Sequence, residues 1–462
     1  MKTSWGYKFK RAAVTVTAAT MLLSVSMIGP DTSMHRSAAA EATKQQVVIT
    51  YPTANVVLSL DKRLPLADKL KLSTSVKVNF ESGNSAVARV NSDGVVIPVS
   101  TGTTNIWISV TKQGYEGKLK LPVTVKAAAS SFQVTQAVKK VKVSGKVYSV
   151  QTVTIPKGMP VTAGLSGRKV GAVQSLLDIA KSYRADVAIN GTYFEAYGGV
   201  PDPYGTVISD GIVEHIGNTG TSVGFKWDGT SVMDTLRIKI KGATNGSYNH
   251  PNNWYVYFIN RTPTKGIASA VMYTPKRGAK VGFSYGSAVT VRKGVVTKVG
   301  KNNNADIPKD GYVLVFNGSE EKLANRFKVG TLVDYKITYT NAAGQEIPWS
   351  DVHTAIEAGP RLVKDGKLAV DPAKEGFSSA KILTDGGARS GIAIKKDGTI
   401  ILATVPGATI KQWGYIMLGL GAYQAMNLDG GASSGLFVKG KNVTTPSRQI
   451  SNALLFSNNP KW

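Results

Sequence analysis

Three features of the sequence predict a multi-domain, strand-rich protein, in which an N-terminal all-β sandwich is followed by a mixed α+β domain. The length, 462 residues, exceeds the roughly 100–200 residues of an ordinary domain. Glycine, at 48 residues, is too frequent for a helical bundle and marks a chain rich in turns. Short alternating apolar runs recur along the chain, and only two stretches carry helical periodicity. With 42% hydrophobic and 18% charged residues, the chain can bury a sizeable core and is not disordered by composition.

The first segment reads as an address rather than as structure. Lys2, Lys8, Lys10 and Arg11 precede an apolar stretch, Ala12 to Ile28, and Ala38-Ala39-Ala40 supplies small residues for cleavage before Glu41. The alternative is an uncleaved N-terminal anchor. No other stretch approaches the roughly 18 consecutive apolar residues of a membrane span, so no transmembrane segment is expected after signal removal. The expectation is a secreted protein, extracellular or associated with the cell wall.

The formal net charge is +27, and residues 1–40, with five Lys/Arg and one acid, leave +23 on the remainder. The basic residues are scattered and no recognition motif accompanies them, which argues against a nucleic-acid partner. An anionic or phosphate-bearing polysaccharide, or the cell wall itself, suits this charge better; solubility alone is the plainer explanation. There are no cysteines, which removes disulfide frameworks, thiolate metal sites, cysteine nucleophiles and a lipoprotein anchor. The only histidines are His35, His215, His250 and His353, too few for a His-rich binuclear centre.

Residues 43–127 read as the sandwich. Val47–Thr50, Ser75–Phe80, Thr104–Val110 and Leu121–Val125 are short alternating runs, with turn signals at Asp93-Gly94 and Thr101-Gly102. Ala127–Ser131 begins a linker over 128–135. In the remaining domain, 136–462, apolar Val173, Leu176, Leu177, Ala180 and Tyr183 predict a helix over 171–184 that runs into a buried strand, Val187-Ala188-Ile189. A second helix, Ile410 to Leu420, leads into Ala425–Leu428. The middle, about 232–340, is strand and turn with little visible chemistry.

Four motifs carry the candidate chemistry: Ala188–Phe194 (AINGTYF), Ala355–Lys367 (AIEAGPRLVKDGK), Ala388–Gly398 (ARSGIAIKKDG) and Asn427–Phe437 (NLDGGASSGLF). In three of them a strand ends in polar residues and glycines, where a ligand can approach the backbone closely. Each has a plainer reading. Asp429-Gly430 fits a tight turn and Asn190-Gly191 a hairpin. Arg361 beside Lys364 fits a solvated strand end, Glu357 a structural ion pair, and Tyr193 and Phe194 ordinary packing.

In order and content these motifs resemble the phosphodiester glycosidase family, whose best-known activity removes N-acetylglucosamine from a sugar-1-phosphodiester. The resemblance covers most of 136–457 and includes Ile307–Gly318 and Ile450–Phe456. Ser82–Val110 is similar to the bacterial immunoglobulin-like modules of surface proteins. Two positions depart from the glycosidase pattern: Glu357 stands where many relatives carry Gly, and Ser390 where Thr is commoner.

The resemblance implies a hydrolase acting on the sugar–oxygen bond of a glycosyl-1-phosphodiester in wall or extracellular polysaccharide. Its leaving group is already a stable anion, so the needs are a carboxylate for the oxocarbenium-like centre or the attacking water, and cations for the phosphate. Asp429 is the first choice for that carboxylate and Glu357 the second. Arg389 and Arg361 are the phosphate candidates, since a guanidinium fork gives two charge-assisted bonds. Asn190 and Asn427 would fix sugar hydroxyls or water, while Ser433, Ser434 and the backbone of Gly430 and Gly431 would donate to phosphate oxygens. No cofactor is required by the sequence. A divalent cation held by Asp202, Asp385 and Asp429 in a metal-dependent phosphodiesterase stays open, as does a non-catalytic wall-binding protein.

Two other patterns fail. Gly431–Gly435 matches the serine-hydrolase G-x-S-x-G, but no histidine follows it in the chain. Gly435–Asn442 nearly spells a phosphate-binding P-loop, but Asn442 replaces its Ser/Thr and the interior is strand-like.

Overall fold

Alternation in the N-terminal segment gives a four-stranded and a three-stranded sheet, with two two-stranded ladders, over one core. A computed structural model describes residues 44–110, 112, 114–126, 131–460 and 462; the leader with its cleavage site, and linker residues 127–130, lie outside the described residues. Ile106 and Ile108 on strand Gly102–Val110, and Leu121, Val123 and Val125 on Lys118–Lys126, face inward in period two. These strands pair antiparallel at the centre of a four-stranded sheet, with Val56–Ser59 parallel on one side and Val78–Ser82 on the other. A three-stranded sheet, Leu64–Pro65, Val95–Pro98 and Ala88–Val90, adds Val96 and Ala88 to the same core.

Beyond residue 131 the chain is mostly β, with less helix than a mixed α+β domain leads one to expect. The described residues hold three short α-helices, Leu176–Ser182, Ala380–Leu383 and Ile410–Gly419. The helix expected over 171–184 is halved for local reasons. Ser175 accepts the Asp178 N–H as its N-cap, Gln174 pairs instead with Ile450, and Arg184 leaves the helix at φ +52°. The second helix starts as expected, on a Thr409/Gln412 capping box.

Three sheets close on a shared apolar core. Val153, Ile392 and Met426 come from a seven-stranded sheet, and Ile189 and Leu454 from a five-stranded one. Val207, Val223 and Ile356 come from a second five-stranded sheet. Because all three sheets spend one face on this core, their strand ends meet beside it. The middle region builds a separate core from Ile238, Ile240, Trp254, Leu314, Phe316 and Phe327.

Residues 44–462 form one compact unit. Arg63 joins the N-terminal sheets to the rest: its guanidinium donates to Asp210 Oδ1 at 2.8 Å and lies over the rings of Trp227 and Trp462. Asn91 Nδ2 adds a bond to the Asp210 carbonyl at 2.9 Å.

Candidate active site at converging strand ends

Strand Val187–Asn190 sits between Asn452–Phe456 and Leu436–Val438 and ends at Gly191. Strand Gln424–Asn427 lies beside Gly387–Ile394 in the seven-stranded sheet and ends at Leu428. The two ends are tied together: the Asp429 N–H donates to Gly191 O at 3.0 Å, and Asn190 Nδ2 donates to Asp429 O at 2.6 Å. Asn190 Oδ1 accepts from Gly435 N at 2.9 Å, so its amide clamps both ends of the 429–435 loop. Asn190 is therefore a positioning residue for the loop. Gly191 is required by close approach, since a Cβ there would come within 2.0 Å of Asn452 Oδ1.

This clamp holds the Asp429 carboxylate at the lip of the site, partly open to solvent. Its Oδ1 accepts the Gly430 N–H at 2.8 Å. Desolvation pushes the group up to about 6, against the opposing pull of Ser433, the Gly430 amide and Arg448. Gly431, at φ +58°, opens the single turn Gly431–Ser433. Ser433 is thereby brought to Asp429, and the Ser434 hydroxyl is left buried with no hydrogen-bond partner among the described residues.

Asn427 is fully buried one step inside. Its Nδ2 donates to Tyr193 OH at 2.8 Å, to Gly359 O at 3.2 Å and to Leu428 O at 2.6 Å, while Oδ1 has no partner among the described residues. Tyr193 OH in turn donates to Gly359 O at 2.9 Å. Burial, followed by the nearby Asp429 charge, pushes this phenol well above its usual range, so it stays a neutral donor. Its ring packs edge-on to Phe377. Tyr193 thus both packs and hydrogen-bonds; sequence reasoning assigned it the first task alone.

Arg389 lies within strand Gly387–Ile394 and is almost wholly buried. Its Nε donates to Ala408 O at 2.9 Å, and one terminal nitrogen donates to Lys381 O at 3.0 Å and Asp385 O at 2.6 Å. Three backbone carbonyls therefore hold most of the fork. The other terminal nitrogen makes no hydrogen bond among the described residues and faces Gly430, where a Cβ would lie 3.8 Å from it. Desolvation lowers this guanidinium, yet it stays charged.

Two further cations stand at the rim. Tyr197 projects with 80% of its surface exposed, with Arg448 Cζ 5.1 Å and Lys381 Nζ 5.7 Å from its ring. These cations, Arg448 foremost, draw the phenol below its ordinary range. Arg448 follows Ser447, whose N–H bonds Ala432 O in the Asp429 loop, and its field also lowers Asp429. Sequence reasoning passed over both cations, because a lone Arg in a loop or Lys on a four-residue helix carries no pattern.

The Pro-containing motif contributes the Gly359 carbonyl, but its charged side chains go elsewhere. Glu357 is fully buried: Oε2 accepts Thr206 N at 2.6 Å, and Oε1 lies 3.6 Å from an Arg237 nitrogen. Desolvation raises it to about 7. Arg361 bonds Val363 O at 3.1 Å and Gln424 Oε1 at 2.6 Å, at the opposite end of the strand that leads to Asp429. Asp202 is bound to Arg277 at 2.5 Å and to Thr262 N at 2.6 Å. Among the described residues no three His, Asp or Glu side chains are grouped to hold a metal ion. His215 is buried and lowered to about 4 by desolvation, with Nδ1 at 3.0 Å from Gly205 O.

Residues 285–457 match the phosphodiester glycosidase family. The matched stretch includes Arg389 and the Asp429 loop, whereas Asn190 and Tyr193 lie upstream of it. A hypothetical protein from Synechocystis aligns at 23% identity over 84% of this chain and 73% of its own, with a TM-score of 0.62. A protein of Burkholderia pseudomallei described as exported aligns at 21% identity over 67% and 74%, with a TM-score of 0.56. These two likenesses show a shared fold. The zebrafish N-acetylglucosamine-1-phosphodiester alpha-N-acetylglucosaminidase catalytic domain aligns at 14% identity over 71% and 84%, with a TM-score of 0.40. No curated protein matches the chain.

Proposed function

We propose that this protein is an exported hydrolase that cleaves the sugar–oxygen bond of glycosyl-1-phosphodiesters in cell-wall or extracellular polysaccharide. The observation that carries the proposal is the meeting of three motifs and one backbone carbonyl at Asp429, under a rim of Arg448 and Lys381. A carboxylate near 6 is ionised at neutral pH. It can support a developing oxocarbenium centre or take a proton from water. The phosphate leaving group needs charge neutralisation more than protonation, which Arg448, Lys381 and the free arm of Arg389 supply. Ser433, Ser434 and the Gly430–Gly431 backbone lie on the side from which phosphate oxygens would be held. Glu357 is assigned the structural role its Thr206 and Arg237 contacts support, and Arg361 likewise.

Residues 43–127 are read as an immunoglobulin-like module, and 1–40 as a cleaved leader. An activity screen tests the function. The purified protein should turn over sugar-1-phosphodiesters at rates well above those for matched neutral aryl glycosides. Indifference to the phosphate would overturn the assignment.

A further inference from the structure

A second surface, away from Asp429, has the make-up of a saccharide site. Edge strand Ser231–Asp234 of one sheet faces the Lys395–Gly398 turn that ends strand Gly387–Ile394 of another. Between them runs a groove of about 530 Å³, inside the range of about 300–1,000 Å³ in which small-molecule sites fall. Met233, Ile347 and Pro348 give it apolar walls, and Tyr423, 36% exposed, lines it as well. Ser231 and Thr230 add hydroxyls, the latter donating to Asp228 Oδ1 at 2.6 Å, while the Gln424 amide is engaged by Arg361 and Asp365.

Lys157, Lys395 and Lys396 reach into this groove, and none of them is held in an ion pair among the described residues. Two carboxylates share it, and both are engaged locally. Asp234 Oδ1 accepts Thr235 N at 2.7 Å, and Asp397 Oδ1 accepts Thr399 N at 2.9 Å. Apolar wall, hydroxyls, an exposed tyrosine ring and ammonium groups outside any ion pair together suit a sugar chain bearing anionic substituents. The edge strand is only four residues long, which offers little ladder to an added peptide strand.

We propose that this groove is an accessory binding site for an anionic glycan strand, separate from the hydrolytic site and resting on the reading of the substrate as a phosphate-bearing polysaccharide. Strand Gln424–Asn427 connects the two: Gln424 lines the groove and Asp429 lies just past the other end. Five residues of extended chain separate them by about 17 Å. A polymer engaged at the groove keeps further linkages near Asp429 at high effective concentration, which raises turnover on long chains without touching the chemistry.

The test uses the full chain and the Lys157→Ala/Lys395→Ala/Lys396→Ala variant, with Lys396→Glu as a single-site check. Binding of a soluble glycerol-phosphate polymer is measured by calorimetry, with a neutral glucan of matched length as control and a lysine-free peptide strand as a third probe. Exposed ammonium contacts of this kind make the expected loss of polymer affinity roughly three- to 100-fold, with a shallower salt dependence. Neutral-glucan binding and turnover of a small soluble glycosyl phosphodiester should be unchanged. Unaltered polymer affinity in both variants overturns the proposal, as does an equal loss on the neutral glucan or tighter binding of the peptide. Failure of the hydrolase reading would look different: the unmodified protein itself would not turn over the small substrate.

Discussion

Replacing Asp429 by Asn should separate activity from stability in opposite directions. The native carboxyl sits at about 6, above its ordinary 3.8, because neighbours crowd out its water. Its ionisation therefore opposes folding. The penalty is absent below about 4, grows as pH rises to 6 and is then constant. The full gap corresponds to about 3 kcal/mol, and the opening to solvent reduces this to about 1–3 kcal/mol. An asparagine keeps an oxygen for the Gly430 N–H and carries no charge. The variant should thus melt a few degrees higher at pH 8, and together with the parent at pH 4, by calorimetry. Turnover of a glycosyl-1-phosphodiester should fall roughly 10²- to 10⁴-fold, the usual worth of a positioned base. In the parent, activity should decline as pH falls through about 6, since the working form is ionised. A variant that is less stable at pH 8, or that keeps near-parental rates, would refute this reasoning.

Three other substitutions separate the neighbours of Asp429. Arg448→Ala should lower kcat/KM for phosphodiesters roughly ten- to 150-fold with far less effect on a neutral aryl glycoside, the loss expected of one charge-assisted contact; equal losses on both would remove it from the phosphate. Arg389→Lys should lower the melting temperature and activity on both substrates, with the larger loss on phosphodiesters, because an ammonium can neither satisfy the Ala408, Lys381 and Asp385 carbonyls together nor keep the arm that faces Gly430. A normal melting temperature with a loss confined to phosphodiesters would show that its structural bonds are dispensable. Tyr193→Phe removes the bonds to Asn427 and Gly359 and should cost about 0.5–1.5 kcal/mol of stability. It should lower kcat with KM nearly unchanged, and a change in KM alone would mean that the hydroxyl binds substrate directly.

The main strands and the strand-end loop that carries Asp429 were legible because both follow from local chemistry. Val187–Asn190 and Gln424–Asn427 are short apolar runs ended by Asn-Gly and Asp-Gly-Gly, and the Asp429 loop forms where those glycines permit it. Side-chain direction was not legible. Glu357 and Arg361 sit in the right motif, but strand pleat and pairing aim them at Arg237 and Gln424. Arg389 lies inside its strand, so most of its donors serve neighbouring backbone. Arg448, in a loop, and Lys381, on the one-turn helix Ala380–Leu383, reach the site only through tertiary folding. The 171–184 helix was overdrawn because apolar periodicity outlasts the cap at Ser175. The middle region, 232–340, is mostly strand and turn, with 3-10 helices at Pro275–Arg277 and Gly318–Arg326 that the sequence reading did not include, and contributes its own core.

The bond that breaks is the most direct measure of the proposed function. Hydrolysis of a glycosyl-1-phosphodiester in ¹⁸O-labelled water, with mass spectrometry of the phosphomonoester product, reports it in one experiment. Attack at the sugar carbon leaves the bridging oxygen on phosphorus, so the phosphomonoester should carry no label and the heavy oxygen should enter the released sugar. A labelled phosphomonoester would mean attack at phosphorus. The protein would then be a phosphodiesterase, and Asp429 with its cationic rim would need another role.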